Sequence, residues 1–293
     1  MVTQKSRERA SFVGFTLPAF LVFCIVVLVP FCFGIYYSFT SWNGINKIAQ
    51  WVGIQNYRNL FAPDEFMWKT LWFTARFTFT VVIIANLLAF LLALVLTKRI
   101  ITASTLRVIY FIPNVIGGLI LGFIWRFIFT QGFPALGKLT GLGFFQLAWL
   151  GTPQTGFWGL VIVYVWKTAG YLMVIYIAAL MNIDTSIIEA ATIDGAPPRK
   201  ILARITIPLI VPAFTVCLFL MLSWSFKLFD VVFSLTRGAP FGSTETMALN
   251  IYNTAFFYNQ YGFGSAKAIF FFILVGIITY SQVVLTKRQE VEL

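Results

Sequence analysis

The sequence predicts an all-α integral membrane protein with six transmembrane helices, and three observations carry that prediction. Of its 293 residues, 59% are hydrophobic and only 11% are charged, with a mean hydropathy of +0.87. Soluble domains run at about 45–50% apolar and ~25% charged, and this chain lacks the polar residues to coat a soluble core. Six runs are long and apolar enough to cross a bilayer, which takes about 20 residues per helix. Basic residues also cluster in alternate connections.

The runs are Phe12–Tyr37, Leu71–Leu96, Val108–Phe129, Phe157–Met181, Leu209–Phe229 and Ala266–Leu285. Backbone polar groups must be satisfied internally at bilayer depth, so each run is expected to be helical. The first follows Lys5, Arg7 and Arg9 as a signal peptide would. Its apolar stretch is too long and no small-residue cleavage site follows, so it reads as a retained helix that Pro18 and Pro30 can kink. Between the runs, Trp42–Trp68, Gly132–Gly156 and Thr236–Gly264 are rich in Trp, Phe, Gly and Asn, and suit short interfacial helices and turns.

Charge sets the orientation. Lys5, Arg7, Arg9, Lys98, Arg99, Arg107, Arg199, Lys200, Arg204, Lys287 and Arg288 fall on one side of a six-helix arrangement. Lys47, Arg58, Lys69, Lys138, Arg237 and Lys267 fall on the other. The excess puts both termini in the cytoplasm. It also accounts for the net charge of +11 without nucleic acid as a partner.

The chain has no histidine, which excludes imidazole acid–base catalysis and Ser-His-Asp triads and argues against zinc sites. Cys24, Cys32 and Cys217 are too few and too scattered for a disulfide framework. Gly132 to Thr140 nearly spells a phosphate-binding loop, but Leu139 stands where a magnesium-binding Ser or Thr should follow Lys138. Gly118 and Gly122 have the GxxxG spacing that lets helices approach closely, although 21 glycines make chance an equal explanation.

The longest polar interruption with internal logic runs from Asn182 to Pro208. Ser186 and Glu189 have capping-box spacing, so a short helix is expected to start at Ser186. Gly195 suits the left-handed residue that ends it, and Pro197 and Pro198 set a turn or open a second helix. Ala190 and Ala191 leave one helix surface bare for another protein, while Glu189 and Asp194 offer acceptors to basic groups.

These residues carry a resemblance. Glu189-Ala190-Ala191, Asp194-Gly195-Ala196 and the later Thr206-Ile207-Pro208 resemble the EAA loop of ABC-importer permeases. Ile207 stands where leucine is more usual, and Ile201 and Leu202 replace an aromatic often found midway. Tyr36–Thr40, Trp51–Tyr57 and Trp166–Tyr171, leading to Ala179, Leu180 and Ile183, are similar to the carbohydrate-uptake branch, first-permease type.

The resemblance implies a type I importer permease fold. It implies pairing with a second, non-identical permease, two cytoplasmic ATPases docked on the EAA loop, and an extracytoplasmic substrate-binding protein. ATP and magnesium would sit on the ATPases, with no cofactor on this chain and no catalysis by it. The setting would be a bacterial cytoplasmic membrane. Gly195 would be the loop's most replacement-sensitive residue, because a side chain resists positive φ.

Ionisable groups within spans are costly and usually face a cavity or a partner. Lys167, near the middle of the fourth run, is the leading candidate for the translocation path, with Arg126 next. Arg76 and Lys227 lie near span ends and can snorkel; Lys227 and Asp230, three apart, can pair on one helix. Asn86 and Asn114 can serve as interhelical glue or as substrate contacts. Tyr164, Tyr171 and Trp224 can stack on sugar rings or belong to the aromatic belt. The basic surplus within the spans is compatible with an anionic substrate such as a sugar acid or glycerol phosphate. The same architecture also serves non-sugar solutes such as polyamines or anions. A membrane-embedded enzyme would need clustered acids, and the ten here are dispersed.

Overall fold

The computed structural model describes residues 4–62, 65–98 and 101–287. Of the basic residues that set the expected orientation, Arg99, Arg288 and the side chains of Lys5, Arg7 and Arg9 lie outside the described residues. So do the tail residues 1–3 and 288–293. Among the described residues, every regular element is helical, and an isolated bridge pairs Thr40 with Trp51.

The helices are, in order, α1 Gln4–Phe23, α2 Val29–Ser38, α3 Gln55–Leu60, α4 Glu65–Leu96, α5 Ala103–Val115, α6 Gly118–Phe127, α7 Phe133–Thr140 and α8 Gly143–Gln146. Then come α9 Pro153–Met181, α10 Thr185–Ile193, α11 Pro198–Ile201, α12 Ile207–Leu209, α13 Val211–Phe226, α14 Asp230–Leu235, α15 Met247–Tyr252 and α16 Tyr261–Lys287. Two compact units contain them: Met1–Asp64 with Ile251–Phe272, and Glu65–Asn250 with Ile273–Leu293.

In the first unit, α1 and α2 join through a π turn at Cys24–Leu28 to make the 27-residue span Phe12–Ser38. The Val29 N–H bonds the Cys24 carbonyl five residues back, widening the turn just before Pro30, whose ring would crowd an ordinary α turn. Pro18 lies inside α1 without interrupting it. Beyond α2 the chain folds back on itself. Asn56 Nδ2 donates to the carbonyls of Ser38 and Thr40 at 2.9 and 2.8 Å, and Ser38 Oγ meets the Tyr57 hydroxyl at 2.8 Å.

In the second unit, α4 packs along α9. Phe77, Val81, Ala85, Ala89 and Ala93 recur every four residues on α4 and are fully buried. This is a ridge of the kind that seats in a neighbouring helix's groove. Its narrowing from Phe to Ala lets the helices close in, and Leu160, Leu172, Met173 and Tyr176 of α9 are buried in the same core. The Tyr176 hydroxyl donates to Asn86 Oδ1 at 2.7 Å, while Asn86 Nδ2 bonds the Val82 carbonyl at 2.7 Å. The pair is thus an interhelical bond between apolar surfaces.

Four of the six expected runs coincide with helices, and two need correction. The third, Val108–Phe129, breaks at Ile116 and Gly117, whose backbones are extended (ψ 126° and 136°). Pro113 deprives the last turn of α5 of a donor, and the continuous apolar span is instead Gly118–Thr140. The segment that mimics a phosphate-binding loop is therefore largely helical, ending at Gly141 with φ +70°. The fifth, Leu209–Phe229, bends by 65° between Pro198–Leu209 and Val211–Phe226, then stops at Phe226. Lys227 caps α13, and Asp230 opens the separate helix α14.

Candidate functional site

Where α13 stops, the chain leaves a cavity of about 470 Å³. Its walls are Asn114 from α5, Tyr164, Lys167, Thr168 and Tyr171 from α9, Trp224 from α13, Lys227, Leu228 and Phe229 from the break, and Asp230. Three glycines allow those helices to meet. A Cβ on Gly170 of α9 would collide with the Tyr110 carbonyl of α5. Cβ atoms on Gly118 and Gly122 of α6 would collide with the side chains of Asp230 and Ser234 on α14. The GxxxG spacing is therefore a packing seam.

Lys167 Nζ lies 3.5 Å from Asp230 Oδ2, with the lysine side chain 16% exposed and the carboxylate 40%. This corrects the expectation that Lys227 and Asp230 pair on one helix. The two residues belong to different elements, and Asp230 reaches across to α9 instead. Its other oxygen accepts the Val231 N–H at 2.8 Å. Lys227 is exposed at the carbonyl end of α13, where the helix dipole favours a cation. Tyr171 and Trp224 meet edge to face at 5.3 Å, and Phe111 stacks on Tyr171 at 6.2 Å.

Seven of the nine predicted path residues thus line one cavity: Lys167, Asn114, Tyr164, Tyr171, Trp224, Lys227 and Asp230. Asn86 is bonded to Tyr176 away from it, and Arg126 is exposed in the last turn of α6. Arg76 is also elsewhere, its guanidinium 4.3 Å over the Phe157 ring. Thr168, Leu228 and Phe229 were not anticipated. Leu228 and Phe229 carry no polar signal, and they reach the cavity only because the helix stops before them.

The second candidate region is the helix–turn–helix α10 to α12. Asp184, not Ser186, caps α10: its Oδ1 accepts the Ser186 N–H at 2.9 Å. The helix begins at Thr185, so Ser186 already lies within the first turn and the Ser186–Glu189 capping box does not form. Bonding to Ser186 holds the Asp184 carboxyl below its ordinary range. The far end is a Schellman motif. Ala196 N–H bonds the Ala191 carbonyl and Gly195 N–H bonds the Thr192 carbonyl, both at 3.0 Å, with Gly195 at φ +75°. No atom outside its neighbours lies within 4 Å of a Cβ placed on Gly195, so backbone conformation alone calls for glycine there.

Glu189, Ala190, Asp194 and Gly195 are exposed, while Ala191 and Ala196 are half-buried. Pro198 opens α11, and a π turn at Leu202–Thr206 accommodates Pro208. A groove of about 330 Å³ lies between Ala191, Asp194 and Ala196 on one side and Lys200, Ile201 and Arg204 on the other. It presents small side chains flanked by both signs of charge.

Helices long and apolar enough to cross a membrane, with a cavity lined by charged and aromatic side chains, suit a membrane transport protein. Residues 85–291 match the family described as "Binding-protein-dependent transport system inner membrane component", and the chain belongs to that family. It is a transport permease, not an enzyme. The chain is 47% identical over 279 residues to the "Probable starch degradation products transport system permease protein AmyD" of Thermoanaerobacterium thermosulfurigenes, covering 95% of this chain and 94% of the relative. It is 32% identical over 277 residues to the "Multiple sugar-binding transport system permease protein MsmF" of Streptococcus mutans, covering 93% and 95%. Its fold matches a chain of a bacterial ABC transporter "involved in the import of the acidic polysaccharide alginate" with a TM-score of 0.83 at 20% identity, over 97% of this chain and 98% of that one.

Proposed function

We propose that this chain is one permease subunit of an ATP-driven, binding-protein-dependent importer of oligosaccharides. It forms the translocation path with a second, non-identical permease. The observation that carries the substrate reading is the cavity, where an ion pair and a Tyr171–Trp224 pair combine hydroxyl-matching polarity with apolar ring faces. Kinship with permeases named for starch degradation products and multiple sugars supports the same class.

In this reading both termini lie in the cytoplasm, and residues 182–208 dock on a pair of ATPases that hold the ATP and magnesium. An extracytoplasmic binding protein delivers the sugar. The Schellman turn at Gly195 makes the helix–turn–helix a stiff connector, so closure of the ATPases can bias the bundle between two states. Glu189 and Asp194 offer carboxylates, and Ala190 offers a bare surface, to the docking groove.

The test is a tagged pull-down in mild detergent, with wild type beside Gly195→Asp and Glu189→Lys. Recovery of a second permease and an ATPase, with the ATPase lost in the variants, supports the assignment. A chain that comes down alone, with variants behaving as wild type, overturns it.

A further inference from the structure

The cavity holds two ammonium groups, Lys167 and Lys227, and one carboxylate, Asp230. The cations differ in setting. Lys227 is exposed at the carbonyl end of α13, where a helix terminus offsets part of its charge. Lys167 stands mid-way along α9 with its side chain mostly covered, and its ammonium reaches Asp230.

Asp230 is held from three directions. One oxygen accepts the Val231 N–H, the other faces Lys167, and the carboxylate occupies space that only a glycine at 118 leaves open. Ser234, one turn on, donates to the Asp230 carbonyl at 2.9 Å and reaches the Gly118 carbonyl at 3.5 Å, pinning α14 to α6. The result is a negative charge fixed in place yet 40% exposed in a transport cavity.

We propose that Asp230 sets the charge selectivity of this cavity, compensating Lys167 so that an uncharged, hydroxyl-rich glycan is taken in preference to an anionic one. The proposal rests on the oligosaccharide reading above. A sugar hydroxyl can donate to the carboxylate and accept from the ammonium at once, so the pair is matched to a neutral polyol. A sugar carboxylate can use only the ammonium, and Asp230 repels it. Without Asp230, Lys167 would face the path uncompensated, beside Lys227, whose charge the end of α13 offsets only in part. The excess of basic residues in the spans therefore does not mark the substrate as an acid.

The experiment uses the complete transporter, purified with its partner subunits, in nanodiscs. It measures direct binding of labelled maltotriose and of the acid made by oxidising its reducing end, with the external binding protein left out. Wild type is expected to favour the neutral sugar. Asp230→Asn is expected to shift the ratio toward the acid by about tenfold or more. The double variant Lys167→Gln/Asp230→Asn, which removes one charge of each sign, is expected to return the wild-type ratio. If Asp230→Asn does not assemble, Lys167→Gln supplies the opposite arm and must move the ratio away from the acid. Neutral binding with an unchanged ratio in the single variants overturns the proposal, as does a wild type that favours the acid. A wild type that takes up neither sugar even when the binding protein is restored overturns the oligosaccharide reading itself, and this proposal with it.

Discussion

The cavity and the helix–turn–helix belong to the same unit and are built in opposite ways. The helix–turn–helix takes its cap, its glycine stop and its prolines from residues that follow one another between Asp184 and Pro208. The cavity takes its walls from residues more than a hundred positions apart, from Asn114 to Asp230, and depends on glycines that let two helix pairs close up. A lesion in the first should therefore stay local and, on the proposed reading, disconnect the ATPases. A lesion in the second should disturb packing as well as passage.

The sharpest way to break that contrast is at Gly195. A β-branched residue there must adopt positive φ, at roughly 1–2 kcal/mol. Gly195→Val is expected to abolish most uptake while leaving thermal stability of the bundle almost unchanged, read by uptake and by a melting curve on the same preparation. A large drop in melting temperature would show that the turn is part of the core after all.

Gly118→Val is the matching lesion in the cavity. Its side chain would displace Asp230 and push α6 from α14, so both uptake and melting temperature should fall. Overpacking of this kind costs about 1–3 kcal/mol. Loss of uptake without loss of stability would place the effect on Asp230 alone.

Tyr176→Phe tests the core behind the cavity, because it removes the donor to Asn86 and leaves the side-chain carbonyl without that partner. Bonds of this type in membrane proteins are worth about 0.6 kcal/mol on average, so a small drop in stability with normal uptake is expected. The smallest effect belongs to Asp184. Its carboxyl is held below its unfolded value, so its contribution is present above that value and lost as pH falls through the folded one. The protection factors of the α10 amides, which remove the intrinsic pH dependence of exchange, should be level near neutrality and fall only in acid. In Asp184→Ala that acid dependence should vanish.

The same contrast explains what could be read from the sequence. A contiguous motif is legible, and the place of Gly195 after the short helix marks it as the left-handed stop that it is. The cap was misplaced by two residues because Asp184 and Ser186 are both good capping types, and the acceptor-only carboxylate took the role. The cost of a charge inside a span singled out Lys167. Its partner was misassigned because nothing in Lys227-Leu228-Phe229 announces that a helix stops there. The third span slid for a similar reason: Ile116–Gly117 is as apolar as its neighbours, and although Pro113 weakens the turn before it, the packing of Gly118 and Gly122 against α14 fixes where the span begins.

The most direct test measures ATPase retention and sugar uptake together, in wild type, Gly195→Asp and Lys167→Met. If the helix–turn–helix couples and the cavity conducts, Gly195→Asp loses both, whereas Lys167→Met keeps the ATPase and loses uptake. A Lys167→Met variant that sheds the ATPase, or a Gly195→Asp variant that keeps it and still transports, would contradict the division of labour drawn here.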